Sequence, residues 1–269
     1  MDKFTITPIN AALGAKISGL DLGITLSEKD KDALRATLLE NSVLWFPGQS
    51  LSKKQLLHFS RNFGQPVPHP TNHRDRDEAV PEVTIVSNVV DNGKVLGALG
   101  NAELQFHADL VFLNIPGSVS ILQCIETPEH GGETSWLSLT KAYDALNPEM
   151  LNRLHGLKVI YRHSRHDYNP KPLSRHPLLC SHPENGRKFL FFSPGSAHRI
   201  EGMEIEESSS LLESLFRHVN QDQFIWEHQW HKGDIVVWDN RISLHRRNSF
   251  DSKHRRIMYR TQMLGPLTI

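Results

Sequence analysis

The chain alternates short runs of apolar residues with polar stretches rich in turn-forming residues, the pattern of many brief strands rather than long helices. Phe4 to Ile17 alternates loosely and predicts a strand pair around Gly14. Ser27 opens a helix through Glu40, with Leu34, Leu38 and Leu39 on one stripe. Val43-Leu44-Trp45-Phe46 reads as a buried strand stopped by Pro47-Gly48. Ser52 and Gln55 have the spacing of a capping box and start a helix that buries Leu56, Phe59 and Phe63. A polar stretch from Gln65 to Pro81 follows. Val83 to Val90 predicts a strand, Asp91-Asn92-Gly93 a turn, and Leu96 to Ala102, with two glycines, a flexible loop and candidate lid.

Downstream, Gln105-Phe106-His107-Ala108-Asp109-Leu110-Val111-Phe112 predicts one buried strand, and Val119 to Cys124 another. Thr140 is placed as the cap of a helix through Leu146, and Asn147-Pro148-Glu149 as the start of one ending near Gly156. Leu157 to Arg162 and Lys188 to Phe192 read as strands, and Ile205 to Val219 as a helix. Between them, His163 to Asn185 carries four prolines and predicts a long excursion over the active-site face. Strands return at Phe224 to His231, Ile235 to Trp238 and Arg256 to Met263. No repeat or linker interrupts the chain. The whole of 1–269 is therefore read as one domain, mainly β with helical additions: an antiparallel sandwich or barrel with flanking helices.

Composition narrows the possible partners. Lys plus Arg and Asp plus Glu both number 30, so no global field draws nucleic acid or an anionic membrane. No apolar run is long enough for a membrane span. The two cysteines lack metal-ligand or redox spacing, and the start lacks a signal peptide's apolar region. Together these predict a cytoplasmic protein.

Candidate chemistry centres on His107 and Asp109. In a strand they would project from the same face, offering one imidazole nitrogen and one carboxylate. That is two-thirds of a two-histidine, one-carboxylate triad for Fe(II). With 16 histidines in the chain, one His-x-Asp is expected by chance, and a second copy does occur at His73-Arg74-Asp75. The second copy lies in a polar run that reads as a solvated loop, whereas the first lies in an apolar segment. His245, between Leu244 and Arg246, supplies a further nitrogen. Arg256 and Arg260 would share a face of the last strand. They are either solvated outside or turned inward towards two anionic ligands, since a buried guanidinium needs an anion.

Several segments, in this order and spacing, resemble one family: Gly14-Ala15-Lys16-Ile17-Ser18-Gly19, Phe63-Gly64, His107-Ala108-Asp109, Gly131-Gly132-Glu133-Thr134, Gly233 to Arg241, His245, and Arg256 to Arg260. The family is that of the iron(II)- and 2-oxoglutarate-dependent dioxygenases containing taurine dioxygenase and chlorophenoxyacetate dioxygenase. The resemblance implies a double-stranded β-helix, or jelly roll, with flanking helices. It implies that His107, Asp109 and His245 hold Fe(II), and that Arg256 and Thr134 bind the distal carboxylate of 2-oxoglutarate. It also implies that Arg260 and His69 meet the acidic group of a small organic substrate, and that the chain assembles as a homodimer or tetramer. Glu103 and Ser196 depart from taurine dioxygenase, so the resemblance retains the anion end of the pocket and changes its walls. The residues alone leave two other functions open: a zinc hydrolase on the same ligands, or a non-catalytic acid-binding protein.

Overall fold

The computed structural model describes residues 4–70 and 79–267. Two sheets face one another. The larger has eight strands in the order Thr5–Pro8, Ala15–Ser18, Val43–Phe46, Ile235–Asp239, Gly117–Glu126, Ile257–Leu264, Thr84–Ser87 and Ala98–Leu99. The smaller has four: Ile225–His228, Thr134–Ser138, Ser243–Arg247 and Leu104–His107. Most neighbours are antiparallel, as a sandwich of Greek-key type requires.

The period of two sorts the side chains between the layers. Trp136, Trp226 and Trp238 enter the space between the sheets and meet Val86, Leu122 and Met258 from the large one. The alternate residues of the large sheet, including Ile121, Ile235 and Val237, turn outward under the two N-terminal helices. Leu137 and Leu244 do the same on the small sheet and pack against the C-terminal helix layer. Strand Gly117–Glu126 is buried on both faces for most of its length, although Ser118, Ser120 and Gln123 interrupt its apolar residues.

The helices begin where their caps predict. Ser27 accepts from the Asp30 N–H and opens Glu28–Asn41. Ser52 and Gln55 form the reciprocal capping box of Lys53–Ser60. Asn147 caps Pro148–Leu154, and the last long helix is Ile205–Val219. One cap is displaced. Ser138, not Thr140, accepts from the Lys141 N–H, so that helix spans Leu139–Asp144.

Other segments also differ from expectation. Val83 to Val90 divides into Thr84–Ser87 and a hairpin of Val90–Asp91 with Lys94–Val95. Asn92 and Gly93 both have positive φ in its turn, as a primed turn requires. The predicted loop over 96–102 contains a short strand, Ala98–Leu99, parallel to Val86–Ser87. The long excursion carries a 3₁₀ turn at His166–Tyr168 and strands Arg175–Pro177 and Leu179–Ser181. The predicted strand over 105–112 ends at His107, and Asp109 lies in the turn beyond it. His73 and Asp75 lie outside the described residues.

Candidate metal centre and the cavities beside it

His107 ends strand Leu104–His107 and pairs across the ladder with His245 on Ser243–Arg247. Their rings lie 4.2 Å apart between centroids. His107 Nδ1 is 2.8 Å from the Gln105 carbonyl. A carbonyl only accepts, so Nδ1 carries the proton and Nε2 keeps its lone pair. His245 stacks on Trp238 at 4.8 Å.

Asp109 reaches the two rings by a route the strand pattern does not reveal. Leu110 has φ 56°, and the chain turns there. With no strand partner, the Asp109 peptide is held by one side chain. Asn240 accepts from the Asp109 N–H at 2.8 Å and donates to the Asp109 and Gly117 carbonyls, each at 2.9 Å. Asn240 is fully buried, so these bonds compete with no water. Ser120 donates to Asp109 Oδ2 at 3.0 Å. Oδ1 is left facing His107 Nε2 at 3.9 Å and His245 Nε2 at 3.8 Å.

One ligand atom from each of the three residues lies within 4.8 Å of the others, so the set could hold a metal on one face. Its two imidazole nitrogens and one carboxylate suit a divalent transition metal. Burial alone would raise the Asp109 carboxyl, but the Arg260 guanidinium and the neighbouring imidazoles outweigh it and hold it below the usual carboxylate range. Burial, then the neighbouring His107, pushes His245 down to about 3. His245 and the Asp109 carboxylate are therefore in the protonation states a metal requires at neutral pH.

Two cavities meet at this centre. The smaller, about 40 Å³, is lined by Thr134, Arg247, Arg256 and Arg260 together with His107 and His245. The Nε atoms of all three arginines are buried without a hydrogen-bond partner among the described residues. Arg256 is 2% exposed, and no carboxylate among the described residues pairs with it. Burial, with the adjoining charge of Arg247, lowers it to about 9. Thr134 Oγ1 accepts from Trp230 Nε1 at 2.8 Å, which leaves its own proton free to donate into the cavity. Gly132 has φ +73°, and a Cβ there would stand 3.2 Å from Arg256 Cδ and Nε. A pocket of unsatisfied guanidinium and hydroxyl donors beside a metal site fits a small dianion that also chelates the metal.

The larger cavity, about 1120 Å³, opens on the other side. Arg260 lines both cavities and donates from Nη1 to Asp109 Oδ1 at 3.2 Å. His69 lines the large cavity, and its charge is felt at Asp109. The outer wall is aromatic: His163 makes edge contacts with Phe112 at 4.8 Å and Tyr168 at 5.3 Å. This part of the long excursion does cover the cavity, as expected. Gly195 and Ser196 leave the wall beside His107 open. Glu103 is exposed, and Leu104 and Gln105 line the cavity in its place.

All seven residues singled out in the sequence thus reach this region: His107, Asp109 and His245 at the centre, Thr134 and Arg256 at the small cavity, His69 at the large one, and Arg260 at the seam. Asn240, Ser120 and Arg247 were missed. Asn240 lies in the Trp238-Asp239-Asn240-Arg241 motif, and Arg247 lies two residues after His245, so both positions carried a signal.

Comparison with known proteins gives the same reading. The family model "Taurine catabolism dioxygenase TauD, TfdA family" matches residues 5–262. The alpha-ketoglutarate-dependent 2,4-dichlorophenoxyacetate dioxygenase of Cupriavidus pinatubonensis is 32% identical, covering 97% of this chain and 98% of that protein. A taurine dioxygenase structure from Burkholderia xenovorans superposes with a TM-score of 0.86 at 29% identity, over 98% of this chain and 90% of that one. AAD-2 in complex with Mn(II) and N-oxalylglycine superposes at 0.85 and 27% identity, over 100% of this chain and 99% of that one. Those neighbours share the jelly-roll architecture that the family resemblance implied. The chain belongs to the TauD, TfdA family and is an alpha-ketoglutarate-dependent dioxygenase.

Proposed function

We propose that the chain uses Fe(II), 2-oxoglutarate and O₂ to hydroxylate a small organic acid with an apolar body. One observation carries this reading: a two-histidine, one-carboxylate centre opens at once on a tight, cation-lined cavity and on a wide aromatic one, with Arg260 at their seam. When bound, iron and 2-oxoglutarate supply the oxidation, in which one oxygen atom enters the substrate and the other leaves in succinate, with carbon dioxide released.

The residues supply position. His107, Asp109 and His245 occupy one face of the metal and leave the opposite face to ligands. Arg256 and Thr134 hold the distal carboxylate of 2-oxoglutarate and so orient its keto acid end. Arg260, assisted by His69, pairs with the acidic group of the substrate and sets which C–H approaches the centre. Phe112, His163 and Tyr168 cover the substrate body and exclude water. Burial, the largest influence on His163, lowers its pKa, so the ring presents a neutral face at pH 7.

The acid is a carboxylate such as an aryloxyalkanoate, a sulfonate or a sulfate ester. The wide cavity and the small side chain of Ser196 favour an aryl body over taurine. Where the hydroxylated carbon bears oxygen or sulfur, the product collapses with C–O or C–S cleavage. By the same family likeness we place the chain in the cytoplasm, as one domain assembling into a homodimer or tetramer, which light scattering tests.

The direct experiment is succinate formation by anaerobically purified protein given Fe(II), 2-oxoglutarate and air across a panel of such acids. Substrate-stimulated succinate is expected. Turnover that persists with zinc and without oxygen would replace this reading with a hydrolase. Metal and acid binding without succinate from any acid would replace it with a binding protein.

A further inference from the structure

Arg247 is a second buried cation at the small cavity. Strand Ser243–Arg247 turns His245 and Arg247 to the same inner face, and Arg247 stands opposite Thr134 in the ladder. It is 5% exposed, and no carboxylate among the described residues forms an ion pair with it. Its guanidinium donates instead to three backbone carbonyls: Gly100 and Leu99, each at 3.1 Å, and Ala102. It also lies over the Phe250 ring at 5.3 Å. Carbonyl dipoles solvate a cation without neutralising it. The charge is therefore still felt across the cavity, where it is one cause of the lowered pKa of Arg256. Two buried like charges side by side, with Nε of each unsatisfied, are held in readiness for an anion.

The three carbonyls belong to the segment that walls the cavities. Leu99 lines both of them. It has φ 81°, a conformation that strains a residue with a Cβ and persists only where its surroundings enforce it. The segment is pinned on one side by Gly97, where a Cβ would come 2.5 Å from the Ile85 carbonyl. On the other side Asn101 donates to the Phe250 carbonyl at 3.2 Å. Between these pins, Arg247 is the latch.

Resting on the functional reading above, we propose that Arg247 is a positioning residue that couples the cosubstrate cavity to the substrate cavity. It holds the 97–102 segment so that Leu99 forms the partition between them. A dianion in the small cavity relieves the repulsion between Arg247 and Arg256, fixes the latch, and so shapes the substrate cavity once the cosubstrate is in place. By linkage, the substrate tightens 2-oxoglutarate binding to the same degree.

The test uses Mn(II)-loaded full-length protein, with calorimetry for 2-oxoglutarate and hydrogen exchange for the peptide spanning 97–102. In the wild type, 2-oxoglutarate should slow exchange in that peptide. Arg247→Met should weaken 2-oxoglutarate binding about tenfold or more and abolish the slowing, with Mn(II) affinity retained. Arg247→Lys should recover part of the affinity through its charge but not the slowing, because one ammonium cannot span three carbonyls. Wild-type affinity in Arg247→Met, or slowing that survives in either variant, overturns the proposal. If Arg247→Met does not fold, the exchange measurement on Arg247→Lys decides the matter. Wild-type protein that binds Mn(II) but not 2-oxoglutarate overturns the functional reading itself, an outcome distinct from a null effect of the variants.

Discussion

Replacing Arg256 by methionine should stabilise the ligand-free protein and at the same time abolish its response to 2-oxoglutarate. Burial, with the Arg247 charge, moves Arg256 from the ordinary 12.5 to about 9. That difference corresponds to about 5 kcal/mol held against the charged form. At 2% exposure little of it is screened by solvent. Because the folded value lies below the unfolded one, the cost is fully present at neutral pH and falls away only as pH rises from about 9. Methionine keeps an apolar stem and removes the charge. Exchanging buried ionic groups for apolar ones gains about 1–4 kcal/mol. Each kcal/mol raises Tm by about 2–4 °C in a chain of this size. The variant should therefore melt several degrees higher than wild type, by calorimetry or dye fluorescence, without ligand. Wild type with Mn(II) and 2-oxoglutarate at about 100 times Kd gains about 2.7 kcal/mol, and the variant should gain none. A variant that melts lower than wild type without ligand, or that still responds to 2-oxoglutarate, refutes the assignment of Arg256 as a cation held for an anionic ligand.

Asp109→Ala should abolish both Mn(II) binding, read by calorimetry, and turnover; a variant still active would sink the triad assignment. Asn240→Ala leaves the Asp109 carboxylate in place but frees its peptide, so metal affinity should fall about 10- to 100-fold while the far-ultraviolet circular dichroism is unchanged. Ser196→Phe should narrow the large cavity and lower kcat/KM for aryl acids more than for short acids such as taurine, and equal losses would refute the placement of the substrate body there. His176 Nε2 donates to the Val111 and Leu113 carbonyls at 3.0 and 2.9 Å, and burial lowers its pKa below 6.5. The unfolded ring thus takes up a proton first, so this contribution to stability is complete above pH 6.5 and lost as pH falls below it. Tm measured from pH 7.5 to 5.5 should decline less in His176→Gln than in wild type.

Short apolar runs bounded by turn residues were legible as strands, as at Val43–Phe46 and Ile235–Asp239, whereas strands Thr134–Ser138 and Ser243–Arg247 were not singled out. The caps at Ser27, Ser52 and Asn147 were legible because each is a local bond between a side chain and a nearby N–H. Between Thr84 and Leu99, the strand Thr84–Ser87 and the turn at Asn92-Gly93 were legible, but the two-residue strands Val90–Asp91, Lys94–Val95 and Ala98–Leu99 were not, because runs so short carry no alternation. Ser138 displaced Thr140 for a related reason. Two hydroxyl residues two positions apart offer the same local signal, and the end of strand Thr134–Ser138 decides between them.

The three candidate ligands converge in the fold, but the strand argument for His107 and Asp109 was incomplete. Period two would bring the pair to one face of a strand, yet Asp109 lies past the strand end. It converges on the histidines because Asn240 replaces the missing ladder and Ser120 turns the carboxylate. The spacing was therefore informative, while its cause was tertiary and, for Asn240, lay 131 residues away in sequence. The same holds for the arginines. Sequence places Arg256 and Arg260 on one face but cannot say which face. It presents Arg247, inside Leu244-His245-Arg246-Arg247, as an ordinary solvated basic run. What separates Arg247 from its neighbour Arg246 is the pleat: one turns towards the cavity, the other towards Ser135 and the Phe106 ring. Composition could not announce the result either, because 30 cations balance 30 anions over the whole chain. The small cavity, by contrast, is lined by three guanidiniums and by no carboxylate among the described residues. That local imbalance is the physical content of the site. It destabilises the ligand-free protein, and the same unsatisfied charge is what a dianionic cosubstrate would neutralise.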